Sequence, residues 1–224
     1  MTFTVQLLLL LAGSYLIGGI PFGLLIARLK GVDIRRVGSG NIGATNVGRA
    51  LGRRWGVLVL ALDAAKGAAT VLVARELLDA AAGAFAGLRP VHGDLVLLGT
   101  GLACVTGSIA PLYLRFRGGK GVAASLGVVV GIFPYLTLPG LVAGLVWVVV
   151  VLLSRYVSLG SIVAALTLPA AFLIISRFRG WPLAEHYPLL GLCAALTLAV
   201  LLRHRANIAR LLAGTENKIG GSRT

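Results

Sequence analysis

Followed from end to end, the chain alternates long apolar stretches with short polar ones, the apolar runs falling near 4–27, 55–77, 93–114, 119–135, 137–154, 157–176 and 187–203. At about 1.5 Å of rise per residue, roughly 20 residues cross the ~30 Å hydrocarbon core of a bilayer. Backbone in lipid must satisfy its own hydrogen bonds, so each run is predicted to be a transmembrane α-helix. The expected fold is therefore all-α, a polytopic integral membrane bundle of seven transmembrane helices, with Pro134 and Pro139 punctuating the junction between the fourth and fifth. No shift in composition and no internal repeat marks a second domain, so residues 1–224 are expected to form a single transmembrane domain. Met1–Thr4 carries no basic residue and no small-residue cleavage site closes a short apolar region, so the first run does not resemble a signal peptide.

Composition narrows the class. With 58% apolar and 12% charged residues, and a mean hydropathy of +0.94, the chain has too little charge to cover a soluble domain of this length. Glycines spaced by four, Gly127 with Gly131 and Gly140 with Gly144, are read as surfaces for close helix packing. Asp63 and Lys66 stand three apart within the run 55–77, so they share a helix face and can neutralise each other where either alone would be costly. That pair is read either as a packing device or as support beneath a polar site. Cys104 and Cys193 lie inside predicted spans with no CxxC or Cys/His spacing, which makes them small core residues and leaves no predicted metal site or cofactor.

The charges then orient the bundle. If the N-terminus is outside, the inner segments 28–54, 115–120, 154–156 and 203–224 hold sixteen of the 21 Lys and Arg residues. The outer segments hold only Arg75, Arg89, Arg177 and Arg179, and Lys66 is intramembrane. This positive-inside bias predicts the N-terminus outside and the C-terminus cytoplasmic. A net charge of +14 would in a soluble protein suggest nucleic acid, but a basic inner face is the ordinary state of such a membrane protein, and no nucleic-acid partner is expected.

Three of the inner segments carry candidate chemistry. The first contains Gly38-Ser-Gly-Asn-Ile-Gly-Ala-Thr-Asn46 followed by Arg49. Gly38, Gly40 and Gly43 allow positive φ and can turn several N–H groups toward one anion. Ser39, Asn41, Thr45 and Asn46 add hydrogen-bonding groups, and the Arg49 guanidinium matches a phosphate. Such a density of distinct polar groups exceeds what a simple connector needs. The second, Arg115-Phe-Arg-Gly-Gly-Lys-Gly121, leads straight into a predicted helix, so Gly118, Gly119 and Gly121 present N–H groups and a positive helix end beside Lys120. It is not a Walker A loop, because Leu114 and Gly121 occupy positions that motif reserves for Gly and Ser or Thr, which disfavours nucleotide hydrolysis. The third, Arg203 to Lys218, places His204, Asn207 and Arg210 three apart on a continued helix that Gly214 is expected to end. A basic tail held to anionic headgroups would not account for Asn207 and Glu216 among its cations. The three segments are expected to meet in one site for phosphate groups at the inner edge of the bilayer, with apolar helices alongside for a lipid chain. No Ser-His-Asp set or exposed thiol offers an obvious nucleophile.

These residues resemble a known family, the bacterial acyl-phosphate:glycerol-3-phosphate acyltransferases of the PlsY type, over essentially the full chain. The resemblance rests on Gly38-Ser-Gly-Asn-Ile-Gly-Ala-Thr-Asn-Val-x-Arg49, Asp63-x-x-Lys66-Gly67, Phe116-Arg-Gly-Gly-Lys-Gly-Val-Ala123 and His204-Arg-x-Asn-Ile-x-Arg-Leu-Leu-x-Gly-Thr-Glu216. It implies transfer of a fatty acyl group from acyl phosphate to the 1-hydroxyl of sn-glycerol 3-phosphate, giving lysophosphatidate and phosphate, the first step of phospholipid synthesis. By motif position it implies catalytic roles for Ser39, Arg49, Lys120, His204 and Asn207. It further implies substrate-binding roles for Gly38, Gly40, Asn41, Gly43, Thr45, Asn46, Gly118, Gly119, Gly121, Arg205, Arg210 and Glu216. It implies no cofactor, direct transfer without an acyl-enzyme, membrane lipid and the enzyme that makes acyl phosphate as partners, and a multi-pass protein of the bacterial cytoplasmic (inner) membrane with its active site on the cytoplasmic side. The chain departs from the family where a Gly-His-x-Phe-Pro run is usual: it reads Gly107-Ser-Ile-Ala-Pro111, so Ser108 and Ala110 replace the His and Phe.

The competing reading is a transporter of phosphate or a small organic anion, which should place charged or broken-helix elements near the membrane midplane. Here the glycine-rich breaks fall at inner helix ends and only Asp63 and Lys66 lie deep. The acyltransferase class that uses HxxxxD is excluded, since Leu97, Gly191 and Ala209 stand five residues after the three histidines. The phosphotransferase class that needs a row of paired aspartates is excluded on the same ground.

Overall fold

The computed structural model describes residues 3–80 and 90–219, and every regular element among them is helical. In chain order these are α1 (Phe3–Gly19), α2 (Phe22–Leu29), α3 (Ala44–Leu51), α4 (Arg53–Ala80), α5 (Pro90–Ile109), a 3₁₀ turn (Leu112–Leu114), α6 (Val122–Gly131), α7 (Thr137–Ser154), α8 (Val157–Arg179), α9 (Leu183–Arg203) and α10 (Arg205–Leu212). Among the described residues six stretches are long and apolar enough to cross a membrane: Thr4–Leu29, Arg53–Ala80, Val91–Leu114, Thr137–Ser154, Val157–Arg179 and Leu183–Arg203.

The expected seventh span, 119–135, differs. Residues 119–121 stay outside any helix, α6 stops at Gly131, and Pro134 has no N–H with which to continue it, so the helix is ten residues long and too short to cross unaided. The first run is also divided: Pro21 interrupts its hydrogen-bond ladder, ending α1 at Gly19 and restarting as α2 at Phe22. In the segment expected as a long inner loop, residues 44–51 form α3, which buries Val47 and Asn46.

The chain divides into two compact units, residues 1–132 and 133–224. In the first, α1 lies along α5, and α4 lies along α6, α3 and α5. The α4–α6 contact is backbone to backbone: a Cβ on Gly127 would strike the Ala64 carbonyl, and one on Gly67 would strike that of Ala124. Small residues at this crossing thus allow an approach that any side chain would prevent. A buried cluster of Leu24, Ile26, Ala27, Ile34, Ile42, Val47 and Val59 joins α2, α3 and α4 and includes two residues, Ile34 and Ile42, of the loop that follows α2.

In the second unit α7 packs on α8 and α8 on α9, and hydroxyl groups tie the pairs together. Trp147 Nε1 donates to Ser161 Oγ at 3.3 Å, and Thr197 Oγ1 donates to the Ala165 carbonyl at 2.6 Å. Gly144, expected to permit close packing, has no atom within 4 Å of where its Cβ would stand, so it makes no tight helix contact. The helix expected to continue past residue 203 breaks at His204, whose N–H bonds the Val200 and Leu201 carbonyls before α10 begins.

Candidate active site

Loop 1, residues 30–43, is organised around one side chain. Asn46, in the first turn of α3, is 2% exposed. Its Nδ2 donates to the Val37 carbonyl at 2.9 Å and the Ile34 carbonyl at 3.2 Å, while its Oδ1 accepts the Ser39 N–H at 2.9 Å. This folds the loop over the start of α3 and holds exposed Ser39 above it. The turn requires glycine at 38, where φ is +61° and a Cβ would collide with Asn46 Oδ1. Asn41 Oδ1 accepts the Gly43 N–H at 2.8 Å, setting the entry to α3. On α3 itself, Thr45 and Arg49 are one turn apart and both exposed.

Loop 2, residues 115–121, returns onto the end of α5. The Gly118 N–H bonds the Ile109 carbonyl at 3.1 Å and the Gly119 N–H bonds the Ser108 carbonyl at 3.0 Å. Ser125 N–H bonds the Gly121 carbonyl at 2.8 Å, so α6 starts immediately after Lys120 and Gly121 and directs its positive end toward the loop. Two tyrosines fasten the preceding turn to α1: Tyr15 Oη donates to the Ala110 carbonyl at 2.7 Å, and Tyr113 Oη donates to the Leu16 carbonyl. The backbone carbonyls of Ser108 and Ala110 are thereby engaged, by the Gly119 N–H and by Tyr15 Oη.

The two loops touch. Arg35 Nη2 donates to the Arg117 carbonyl at 2.9 Å. The Cβ position of Gly119 lies 3.8 Å from Ile42 Cγ1 and 3.9 Å from Asn41 Oδ1. Asn41 and Ile42 of loop 1 are thus brought beside Gly119 of loop 2, in one unit that also holds the N-termini of α3 and α6 and a surplus of positive charge. The N–H groups of Gly40, Gly43, Gly118 and Gly119, expected to face an anion, instead bond the Val37 carbonyl, Asn41 Oδ1 and the Ile109 and Ser108 carbonyls, so it is the first turn of α6 that offers N–H donors to an anion beside hydroxyls and cations. Arg35 was not singled out by sequence, since nothing in an arginine's neighbours reports that it bridges to a carbonyl 82 residues away.

The third segment belongs to the second unit. His204 is 2% exposed, and its Nδ1 lies 2.8 Å from the Val200 carbonyl. A carbonyl oxygen can only accept, so Nδ1 carries a proton. Glu216 gathers the rest. Its Oε1 accepts from Asn207 Nδ2 at 2.7 Å and Ser158 Oγ at 2.9 Å, and its Oε2 accepts from Arg210 Nε at 2.7 Å. Burial by itself would raise the Glu216 carboxyl, but hydrogen bonds from Asn207, Arg210 and Ser158 and the Arg210 charge outweigh it and hold the group below the usual carboxylate range. Glu216 is therefore an anchor for Asn207 and Arg210, and Arg205 stands exposed at the start of α10. Ser158, on α8, is a participant that sequence gave no sign of. Among the described residues no group of three or more His, Cys, Asp or Glu side chains could hold a metal ion.

Comparison with known proteins agrees with this chemistry. A family model described as glycerol-3-phosphate acyltransferase matches residues 8–214. The glycerol-3-phosphate acyltransferase of Desulforamulus reducens is 43% identical over 217 residues, covering 96% of each chain. That of Aquifex aeolicus is 43% identical over 213 residues, covering 94% of this chain and 98% of its own. The crystal structure of PlsY, an integral membrane glycerol 3-phosphate acyltransferase, in its glycerol 3-phosphate form matches with a TM-score of 0.78 at 43% identity over 96% of both chains. Its lysophosphatidic acid form matches with a TM-score of 0.76 at 42% identity over 96% of both chains. With the family model spanning nearly the whole chain and the integral membrane fold shared, this chain belongs to the glycerol-3-phosphate acyltransferase family of the PlsY type.

Proposed function

We propose that this enzyme transfers a fatty acyl group from acyl phosphate to the 1-hydroxyl of glycerol 3-phosphate, releasing lysophosphatidate and inorganic phosphate. The observation that carries the reading is the junction of loops 1 and 2, where Arg35 grips the Arg117 carbonyl and Gly119 abuts Asn41 and Ile42. Both substrates bear a phosphate, and the two loops and their helices offer the N-terminus of α6, Ser39, Thr45 and Lys120, with Arg49 on α3.

In the reaction the hydroxyl oxygen bonds to the acyl carbonyl carbon, the bond from that carbon to the phosphate oxygen breaks, and phosphate leaves with the electron pair. The hydroxyl proton passes to a phosphate oxygen, so no acyl-enzyme and no metal is needed. Arg49 and Lys120 hold phosphate oxygens, Ser39 and Thr45 hydrogen-bond them, and the N–H groups in the first turn of α6, which the helix itself does not pair, offset the charge on the carbonyl oxygen as it becomes tetrahedral. His204 and Asn207 serve the same reaction by orienting glycerol 3-phosphate, with Glu216 fixing the Asn207 amide. Asn46 lends its whole amide to loop 1 and acts by holding Ser39.

The concentration of Lys and Arg in alternate polar segments supports an N-terminus outside, a C-terminus inside and an active site on the cytoplasmic face of the inner membrane. The enzyme that makes acyl phosphate is the natural donor partner, because acyl phosphate is short-lived in water. Purified protein given acyl phosphate and labelled glycerol 3-phosphate is expected to form lysophosphatidate without added metal and to refuse acyl-CoA. Product from acyl-CoA or acyl carrier protein, with none from acyl phosphate, would overturn the donor assignment.

A further inference from the structure

The Asp63–Lys66 pair of α4 takes no part in the steps above. Lys66 Nζ donates to Asp63 Oδ1 at 2.7 Å, and the two side chains are 4% and 14% exposed. Mutual neutralisation would require nothing more. Lys66 nevertheless makes a second bond, Nζ to the Ile20 carbonyl at 2.8 Å, and its Nζ stands 5.7 Å from the centre of the Phe22 ring. Ile20 and Pro21 are the break between α1 and α2, where the helix ladder stops and the Ile20 carbonyl accepts the Phe22 N–H at 3.2 Å in a tight turn, with Lys66 as its second and shorter donor.

What lies on either side of this bond connects it to the substrate loops. Three residues beyond Ile20, Gly23 presses so closely on the Ile42 carbonyl that a Cβ could not be accommodated. Ile42 sits between Asn41 and Gly43 in loop 1 and faces Gly119 of loop 2. In the other direction, Gly67, next to Lys66, lies against the Ala124 carbonyl of α6, one turn past the Lys120-Gly121 entry to that helix. The Lys66 turn of α4 therefore reaches loop 1 through α2 and loop 2 through α6.

Resting on the acyl-transfer function proposed above, we propose that Lys66 is a positioning residue: by tying the α1–α2 break to the turn of α4 that meets α6, it sets loop 1 against loop 2. Asp63 keeps the ammonium in place, while the bond to Ile20 does the positioning. The two residues are then unequal. In Asp63→Asn, Lys66 still donates to Ile20 whatever its charge. In Lys66→Met that donor is lost, and in Asp63→Leu/Lys66→Met it is lost without leaving a buried charge behind.

The test compares these three variants with wild type in the acyl-phosphate assay, with thermal midpoint and amide hydrogen exchange of loop 1 read on the same proteins. Asp63→Asn is expected to stay near wild type. Lys66→Met and the double variant are expected to lose roughly 100-fold in kcat/KM, chiefly as a raised KM for glycerol 3-phosphate, as misplacement of a binding loop by about 1 Å does. The double variant should keep its midpoint while the Ser39 and Gly43 amides exchange faster. Equal losses in Asp63→Asn and Lys66→Met, recovery of wild-type kcat/KM in the double variant, or failure of the double variant to fold would each overturn the proposal, the last because Lys66 would then hold the fold and not the loops. An inactive wild type would count against acyl transfer itself, and the exchange of Ser39 and Gly43 would still decide the role of Lys66.

Discussion

Truncating Asn46 to alanine tests whether loop 1 depends on one buried amide. The substitution removes three hydrogen bonds, to the Ile34 and Val37 carbonyls and from the Ser39 N–H. Their costs differ because their access to water differs. Ile34 is 0% exposed, so its carbonyl is left without a partner at about 1–3 kcal/mol. Val37 and Ser39 are exposed, and water replaces the lost partners at roughly 0.5–1.5 kcal/mol each or less. A total near 3 kcal/mol corresponds, for a chain of this size, to a thermal midpoint lowered by roughly 6–12 °C. Because Ser39 loses the bond that holds its N–H, a displacement of about 1 Å should also cost roughly 100-fold in kcat/KM. Unfolding in detergent and the acyl-phosphate assay read both effects. Asn46→Asp should be similarly harmful, since it keeps an acceptor for Ser39 but sets an oxygen against the two carbonyls. An Asn46→Ala protein with wild-type midpoint and rate would refute the reasoning, because loop 1 would then be held by something other than this amide.

Arg49→Ala and Lys120→Ala are each expected to abolish lysophosphatidate formation while leaving a folded protein, as judged by thermal unfolding; retained turnover in both would mean the basic loops serve topology alone. Glu216 predicts a pH dependence. Its carboxyl titrates below the ordinary range in the folded protein, so its contribution is fully present above the unfolded value of about 4.3 and is lost as pH falls through the folded value. The wild-type midpoint should therefore drop on acidification below about pH 4 more steeply than that of Glu216→Gln. The variant should already be less stable at neutral pH, because an amide N–H would face Arg210 Nε. Parallel pH profiles for the two proteins would remove Glu216 from the anchoring role.

The long helices were legible because hydropathy over some twenty residues is a strong, local signal, and Arg53–Ala80 or Leu183–Arg203 announce themselves by it. The motifs were legible as chemistry, since few uses exist for glycine, hydroxyl and cation packed into a dozen residues. What escaped depends on contacts distant in sequence. Helix α3 reads Ala-Thr-Asn-Val-Gly-Arg-Ala-Leu, with β-branched residues and an internal glycine that weaken any helical signal, and it is stabilised by burying Val47 against the α2 and α4 cluster. Asn46 looked like a substrate ligand because an asparagine beside glycines can as well face a ligand as its own loop; only the fold shows its amide turned inward. Likewise Glu216 stood out as an acid among cations, but its tie to Ser158, 58 residues away, has no sequence signature.

The glycine-mediated seam between α4 and α6 bears on how the protein is assembled in the bilayer. A ten-residue helix rises about 15 Å, half the hydrocarbon thickness, and so cannot partition into lipid as an autonomous element. Val122–Gly131 is held at its depth by docking on α4, where Gly127 meets the Ala64 carbonyl and Gly67 meets that of Ala124. Lys120, one residue before Gly121 at the entry to that helix, therefore owes its position to the grip of α4 on a helix that lipid alone would not hold.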